Sequence, residues 1–290
     1  CAGNKLSCCS TNKRLSSNLT TAEAQDGNAL MSFNSDGYVV SSDGTTNAAG
    51  TYVAWNWKAG GAAVSNTNGS ITSSVSANPS AGFSIATYTA GDSDETIGHG
   101  LSIAPEVVIV KRRDNATGNW VSFWTPITST NKQLYLNLAN AVDTPNLGTF
   151  NATTFRVNGW ADVAVSGSSY VAYCFHSVDG YSKVGSYTGN GNANGKFVHC
   201  GFRPAFVLIK RSDSSGDDWH IMDTTRSSYN VMTHRIKANT TDAESSTDTS
   251  MDALSNGFKL RNTSGARNNG SGTYIFIAFA ETPFKYSNAR

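Results

Sequence analysis

Length, composition and charge favour a globular protein built from several β-rich domains. The 290 residues are enough for two or three domains, and a net charge of +1 with 15% charged residues implies no nucleic-acid partner. Ser, Thr, Asn and 27 Gly disfavour helices, while 10% aromatic residues supply the core that a disordered chain lacks. We find no apolar run that could cross a bilayer as a helix and no cationic, apolar leader, so we expect no membrane association.

Residues 1–62 are predicted to be the C-terminal half of a first β-module, module 1. The stretch Leu15–Glu23 is similar to Ile236–Glu244, and the stretch Phe33–Val40 is similar to Phe150–Val157 and to Leu254–Leu260. Because such strands lack their partner hairpin, we expect contact with another subunit or continuation of the natural protein before Cys1.

Module 1 ends in an aromatic segment, Tyr52–Trp57, that returns as Tyr170–Phe175 and Tyr274–Phe279. Side chains alternate faces along a strand, so we expect one face of each copy to be core. In the first copy that face carries Val53, Trp55 and Trp57. The opposite face carries Tyr52, Ala54 and Asn56, and we expect an adjacent module, a loop or another subunit to cover it.

The stretch from residue 63 to residue 80 is predicted to be a linker because it is rich in Gly, Ser, Asn and Thr. Ile71 and Val75 could still attach parts of it to the edge of a sheet.

Two complete β-modules follow, module 2 at residues 81–179 and module 3 at residues 180–290. Five residue pairs recur at one separation, close to the size of a domain. They are Tyr88 and Tyr187, Pro105 and Pro204, Lys111 and Lys210, Asp114 and Asp213, and Trp120 and Trp219. Each copy contains an apolar run, a turn rich in Asp, Asn and Gly, and a second strand that opens with Trp, which predicts a β-hairpin. The spacer Ser177–Gly180 is so short that we expect the two modules to be in contact.

This duplication predicts an all-β chain of tandem antiparallel β-sandwich (jelly-roll-like) modules, each of about seven strands. The five cysteines, Cys1, Cys8, Cys9, Cys174 and Cys200, have irregular spacing that fits no metal motif, and we expect reduced thiols. Cys1 followed by Ala-Gly could also be the lipid-bearing first residue of a bacterial lipoprotein, or a cropped start.

Several residues suggest chemistry but have simpler explanations. Trp120 and Trp219 could stack on sugars, yet their shared position favours core anchors. The basic groups at Lys111 and Lys210 are expected to be ordinary strand-end charges. The Asp213–Asp218 loop has the oxygen density of a calcium site, but turn chemistry also explains it.

We expect no enzyme and no cofactor. His99 and His199 have no acidic or thiol partner at motif spacing, and the acidic residues cluster in turns rather than across a cleft. The sequence contains no Gly-x-Ser-x-Gly elbow, Walker loop or His-Glu-x-x-His motif.

Several distinctive phrases resemble modules strung in tandem in tail-fibre-like proteins of marine tailed bacteriophages, especially cyanophages. They include YVAWNWKAGG, ATYTAGDSDETIGHGLSIAPEVVIVKRRD, YVAYCFHSVDGYSKVGSYTGNG, GFRPAFVLIKRSD and FIAFAETPFKYSNAR, and together they cover essentially the whole chain. The resemblance implies a virion structural protein, a tail fibre or similar appendage assembled in the host cytoplasm, that recognises the host surface. The alternatives are a capsid decoration or head-fibre protein without receptor binding, and a secreted bacterial adhesin.

We expect a homotrimer that contacts other virion proteins and a host-surface glycan or protein, with weak sites made effective by multivalency. The candidate contact residues are those that the repeat leaves unexplained. They are Trp124, Trp160, Arg267, Asn268 and Asn269. The alternative for both tryptophans is packing against a neighbouring module or subunit.

Overall fold

The computed structural model describes residues 5–6, 13–25, 27, 29–91, 93–127, 132–143, 150–160 and 162–282. Nearly all regular structure in these ranges is antiparallel β-strand, which confirms the all-β sandwich prediction. The longest α-helix among the described residues, α1 (Gly265–Asn268), has four residues, and none there is long and apolar enough to cross a membrane. Cys1, Cys8 and Cys9 lie outside the described residues.

Module 1 contains a small sheet and a separate hairpin. The sheet has the order β1-β2-β3, and the hairpin is β4–β5. The strands are β1 (Lys5–Leu6), β2 (Lys13–Ser16), β3 (Ala24–Gln25), β4 (Leu30–Phe33) and β5 (Tyr38–Val40). The aromatic segment Tyr52–Trp57 belongs to none of the strands described.

Module 2 is a two-layer sandwich. Its large sheet has the order β12-β11-β10-β14-β8-β7-β6, and β13 pairs with β9 in the second layer. The strands are β6 (Val64–Asn66), β7 (Ser73–Asn78), β8 (Phe83–Thr89), β9 (Glu95–Gly98), β10 (Val107–Arg112), β11 (Trp120–Trp124), β12 (Gln133–Tyr135), β13 (Thr154–Val157) and β14 (Ser169–Phe175).

The prediction of a linker at residues 63–80 is wrong, because β6 and β7 both lie in this stretch. β7 pairs with β8 along its whole length, from Ser73 opposite Tyr88 to Asn78 opposite Phe83. Val75 is buried in the core of module 2, so this side chain attaches the stretch to the sheet, as the sequence allowed.

Module 3 repeats the arrangement. Its large sheet has the order β15-β22-β17-β18-β19, and the second layer has the order β16-β21-β20. The strands are β15 (Ser182–Thr188), β16 (Phe197–His199), β17 (Pro204–Arg211), β18 (His220–Asp223), β19 (Ile236–Lys237), β20 (Met251–Leu254), β21 (Gly257–Leu260) and β22 (Thr273–Ala280).

Five strands of the large sheet of module 2, β12-β11-β10-β14-β8, have the same order as the five strands of module 3, as a duplicated module requires, and β7 and β6 extend the sheet of module 2. The closing strand β14 lies between β8 and the apolar strand β10, and the closing strand β22 lies between β15 and the apolar strand β17. The registers agree as well, since Tyr88 faces Tyr170 and Tyr187 faces Tyr274, with ring centroids 5.2 and 4.9 Å apart.

Three apolar clusters fill the molecule. One cluster lies between the two layers of module 2, and a second lies between the two layers of module 3. The third cluster contains residues of all three modules, and we call it the shared core. Trp55 and Trp57 of module 1 pack in this shared core, where Trp57 contacts Phe175 of module 2 and Phe279 of module 3 at centroid distances of 6.4 and 5.4 Å. The face predicted to be core therefore faces the neighbouring modules.

The opposite face of each closing strand lines the module's own core. In module 2 this face carries Tyr170, Ala172 and Cys174, all fully buried.

Equivalent hydrogen bonds, each donated by a tryptophan indole, join successive modules. The Trp120 indole of module 2 donates to the Ser16 carbonyl of module 1 at 2.9 Å, and the Trp219 indole of module 3 donates to the Tyr135 carbonyl of module 2 at 2.9 Å. Ser17 Oγ donates to the Ala238 carbonyl at 2.8 Å, which links module 3 back to module 1. Each module therefore contacts the other two, and all three surround the shared core.

Candidate functional site

The structure buries three of the five residues predicted to contact a ligand. Trp124 lies inside β11 with 2% of its surface exposed, and its ring is 5.8 Å from that of Trp219. The prediction of an exposed Trp124 is wrong, because the face of β11 that carries Trp124 packs against the shared core. At the separation of the repeat its counterpart is Asp223, the last residue of β18, so the repeat alignment alone could not show the contact between modules.

Arg267 and Asn268 are also buried, and their side chains hold loops together. Arg267 Nη2 donates to Asp248 Oδ2 at 2.7 Å. Asn268 Nδ2 donates to the Asn192 and Asn262 carbonyls at 2.8 and 2.7 Å. Both are therefore structural residues in this fold, which corrects their prediction as contact residues.

The other two predicted residues keep some exposure. Asn269 is exposed, and its N–H donates to the Tyr274 hydroxyl at 2.7 Å. Trp160 is half-buried, and its ring packs edge-on against Tyr135 at 6.1 Å. The ring of Trp160 is therefore part of the packing of module 2, and the five predicted residues do not form one site.

The tryptophans predicted to be core anchors are fully buried. Trp120 and Trp219 have no exposed surface, and each indole N–H has a carbonyl partner in the preceding module. Neither ring can stack on a sugar in this structure.

The acidic loop at Asp213–Asp218 uses its carboxylates internally. Asp213 and Asp217 accept from Arg211 at 2.8 and 3.3 Å, and Asp218 accepts from Asn239 Nδ2 at 2.7 Å and pairs with Lys237 at 2.8 Å. The Arg211 guanidinium lowers the pKa of Asp213 against the opposing effect of burial, which is the larger single influence. Within the described ranges, no group of three or more His, Cys, Asp or Glu could hold a metal ion.

The two histidines noted in the sequence lie in different environments. His99 is fully buried; its Nε2 bonds the Asn151 carbonyl at 3.1 Å, and its Nδ1 accepts from the Leu101 N–H at 3.2 Å. This network assigns a neutral ring with the proton on Nε2. Burial lowers the pKa of His99 below its usual value, whereas His199 is exposed.

A shallow groove of about 330 Å³ lies on the outer part of the large sheet of module 2. Hydroxyl groups line it, from strands β6 to β8 and the start of β14. The lining residues are Ser65, Thr72, Ser73, Ser74, Thr87, Tyr88, Thr89, Arg113 and Ser169. Arg113 Nε donates to Glu23 Oε2 at 2.8 Å, so the guanidinium is already paired with module 1. The groove offers hydroxyl groups but no exposed aromatic surface.

The most exposed large hydrophobic side chain among the described residues is Tyr229, with 86% of its surface accessible. It lies in the loop between β18 and β19, next to Asn230. The Asn230 amide is held by the backbone of Ala253, donating to its carbonyl at 3.0 Å and accepting from its N–H at 2.9 Å.

The start of the same loop is fixed as well. Ser227 Oγ accepts from the His234 N–H at 3.1 Å and from the Thr233 N–H at 3.3 Å. The backbone of this loop is thus fixed by hydrogen bonds, and the ring of Tyr229 is exposed to solvent. Sequence reasoning missed Tyr229 because a single Tyr among Ser and Asn gives no periodic signal.

The fold and these side chains define a class of protein: tandem β-sandwich modules interlocked around one shared core. The chain belongs to a family described as a domain of unknown function (DUF7483), whose model matches residues 7–283. No curated protein and no solved structure matches the chain.

Proposed function

We propose that this chain is a structural part of a tailed-phage virion, a tail fibre or similar appendage, that contacts the host surface. The proposal rests on the resemblance to tail-fibre-like modules and on the interlocked three-module body. A body whose modules share a core can transmit load and present surface loops in fixed positions. The observation that carries the adhesive part is the exposed ring of Tyr229 on its anchored loop.

An exposed tyrosine on a fixed backbone suits weak recognition of a sugar. A tyrosine ring loses little conformational entropy on binding, since it has only two rotatable bonds, and its face packs against the apolar side of a sugar ring. The Asn230–Ala253 hydrogen bonds remove loop freedom before binding. Several copies on one appendage would raise the avidity of a weak site by about 10²–10⁴.

The test is adsorption of fluorescently labelled, purified protein to a panel of marine cyanobacterial cells. Tyr229→Ala should reduce adsorption by about tenfold or more at subsaturating protein, since the stacking surface is lost. Tyr229→Phe keeps the ring and should adsorb like wild type. Ile103→Ala is the matched control, because Ile103 is another exposed apolar side chain, in module 2.

The outcomes separate the adhesive from the purely structural part of the proposal. Equal adsorption by wild type and Tyr229→Ala would remove Tyr229 from the site. Failure of wild type to adsorb to any strain of the panel would favour the alternative of a virion part without receptor binding.

A further inference from the structure

Module 1 exposes a face that is buried in the other two modules. Tyr52 is 42% exposed, whereas its counterparts Tyr170 and Tyr274 are fully buried. Ala54 is exposed, whereas its counterpart Ala172 is fully buried. The segment Tyr52–Trp57 therefore has the sequence of a central strand but only one covered face.

The β4–β5 hairpin of module 1 also exposes aromatic side chains. Tyr38 is 39% exposed, and the counterparts Phe155 and Phe258 are fully buried in the cores of modules 2 and 3. Phe33 in β4 is 57% exposed. We call Phe33, Tyr38, Tyr52 and Ala54 the open face. Large apolar side chains that are exposed where the other modules bury their counterparts indicate an interaction site.

The other modules show which strands flank the closing strand within its sheet. In module 2 the closing strand β14 pairs with β8 on one side and β10 on the other, and β10 also pairs with β11. In module 3 the closing strand β22 pairs with β15 and β17 in the same way. In module 1 no strand among the described residues pairs with Tyr52–Trp57.

We propose that the open face of module 1 docks a partner that supplies the front half of a module of this same kind. The partner segment carries four strands with the pattern of β8, β9, β10 and β11. The strands equivalent to β8 and β10 pair on either side of Tyr52–Trp57. The strand equivalent to β9 pairs with β5, as β9 pairs with β13 in module 2, and its apolar side chains cover the open face. The added strands satisfy the backbone groups of this segment as strand addition does at a sheet edge.

The segment is already held in position for such a partner. The rings of Trp55 and Trp57 are fixed in the shared core, where Trp57 lies 5.5 Å from Phe206 and Trp55 lies 5.6 Å from the same ring. Arg226 also covers the Trp55 ring at 5.6 Å. One face of the segment is therefore anchored, and the opposite face is presented.

A second copy of the same surface does not fit this face. Its module 1 offers the same closing segment and the same β4–β5 hairpin, which are the strands already present. The strands that have no counterpart among the described residues of module 1 are those of the front half, so the sequence pattern of residues 81–127 describes the required partner.

The probe is a tagged polypeptide of residues 81–127, the front half of module 2, co-expressed with the full 290-residue chain. We expect a complex of one probe per chain, measured by affinity capture and native mass spectrometry. Ala54→Lys should weaken capture by at least about tenfold, because the partner would bury an unpaired lysine. The matched control is Ala49→Lys, an exposed alanine outside the segment, which should bind like wild type.

A second arm keeps the test decisive if the probe is insoluble alone. The same segment is fused ahead of the chain through a Gly/Ser linker, and hydrogen exchange is followed at residues 52–57. We expect strong protection that Ala54→Lys abolishes.

Three outcomes would overturn the proposal. The first is unprotected amides at residues 52–57 in the fused protein. The second is capture that Ala54→Lys does not change, which would indicate strand exchange into module 2. The third is a dimer of the chain that Ala54→Lys dissociates, which would make a second copy the occupant.

Discussion

Two buried lysines show how this fold handles charge at the scale of single residues. Lys111 and Lys210 close equivalent apolar strands, and neither has exposed surface. Lys111 Nζ donates to the carbonyls of Thr20, Arg112 and Gly118 at 3.0, 2.8 and 3.0 Å. Burial lowers the pKa of both lysines to about 8, so both remain mainly protonated at pH 7. The expectation of ordinary strand-end charges missed this burial because the carbonyls around Lys111 come from distant loops as well as from its own strand.

The two lysines should differ in their contribution to stability. Lys111→Met leaves three carbonyls without their donor, and we expect it to lower the free energy of unfolding by about 2–4 kcal/mol. Lys210 Nζ donates to the Arg211 carbonyl at 2.6 Å, so Lys210→Met should cost less, about 1–2 kcal/mol. Urea unfolding at pH 7 measures both. An equal or larger loss for Lys210→Met would contradict the role assigned to the carbonyls around Lys111.

Buried histidines should make the fold sensitive to mild acid. Burial lowers the pKa of His220 well below its usual value, and the nearby cations Arg267, Arg235, Lys237 and Lys210 lower it further. Below about pH 6.5 the unfolded chain binds a proton at this residue and the folded chain does not. The free energy of unfolding should therefore fall by up to about 1.4 kcal/mol per pH unit per such histidine as the pH falls from 6.5 to 5.

Urea unfolding of wild type and His220→Gln at pH 7.5, 6.5, 5.5 and 5.0 checks this dependence. His220→Gln should flatten the slope, and His99, whose pKa burial also lowers, should supply the slope that remains. His199→Gln changes an exposed ring and serves as the control. A His220→Gln profile parallel to wild type would show that His220 does not couple to folding.

At the scale of elements, the sequence predicted the strands whose apolar pattern is strong. The hairpins β10–β11 and β17–β18 lie where the apolar runs and Asp-rich turns predicted them. The hairpin β6–β7 was missed because its composition is that of a linker. Gly69 in this hairpin and Gly60 just before it have a packing reason: a Cβ on Gly60 would lie 1.9 Å from the Ala77 carbonyl oxygen, and one on Gly69 would lie 2.1 Å from the Thr96 carbonyl oxygen. Glycine in this stretch thus reflects close backbone approach, which composition cannot distinguish from flexibility.

The hairpin should therefore behave as part of the module. Val75 in β7 is 3% exposed, and Val75→Ala should cost about 1–3 kcal/mol of unfolding free energy because it leaves a cavity in the core of module 2. Val64 in β6 is 66% exposed, and Val64→Ala should change stability by less than about 0.5 kcal/mol. Chemical denaturation compares the pair. If Val75→Ala were as mild as Val64→Ala, residues 63–80 would act as the linker first predicted.

For the whole molecule, the repeat could be predicted from sequence. Which face of each closing strand packs against the other modules could not. Alternation predicted that Trp55, Trp57 and their counterparts share one buried face, and they do. Alternation cannot tell a module's own core from a core shared between modules, because both exclude water. Trp124 illustrates the same limit, since its burial depends on Trp219 of the next module. The candidate site was harder still, because exposure of a loop residue is a property of the complete fold.

A shared core predicts that the modules unfold together. Trp219→Phe removes the indole donor to the Tyr135 carbonyl, which lies 2.9 Å away in the neighbouring module, and should cost about 1–3 kcal/mol. For a chain of this size each kcal/mol lowers the Tm by roughly 2–4 °C. Calorimetry should show one transition for wild type and one, at lower temperature, for the variant. Hydrogen exchange should lose protection equally in β8 of module 2 and β15 of module 3, because Phe83 and Val184 both pack in the shared core. Two separate transitions, or a loss confined to module 3, would mean that the modules are stable independently and that the shared core only joins them.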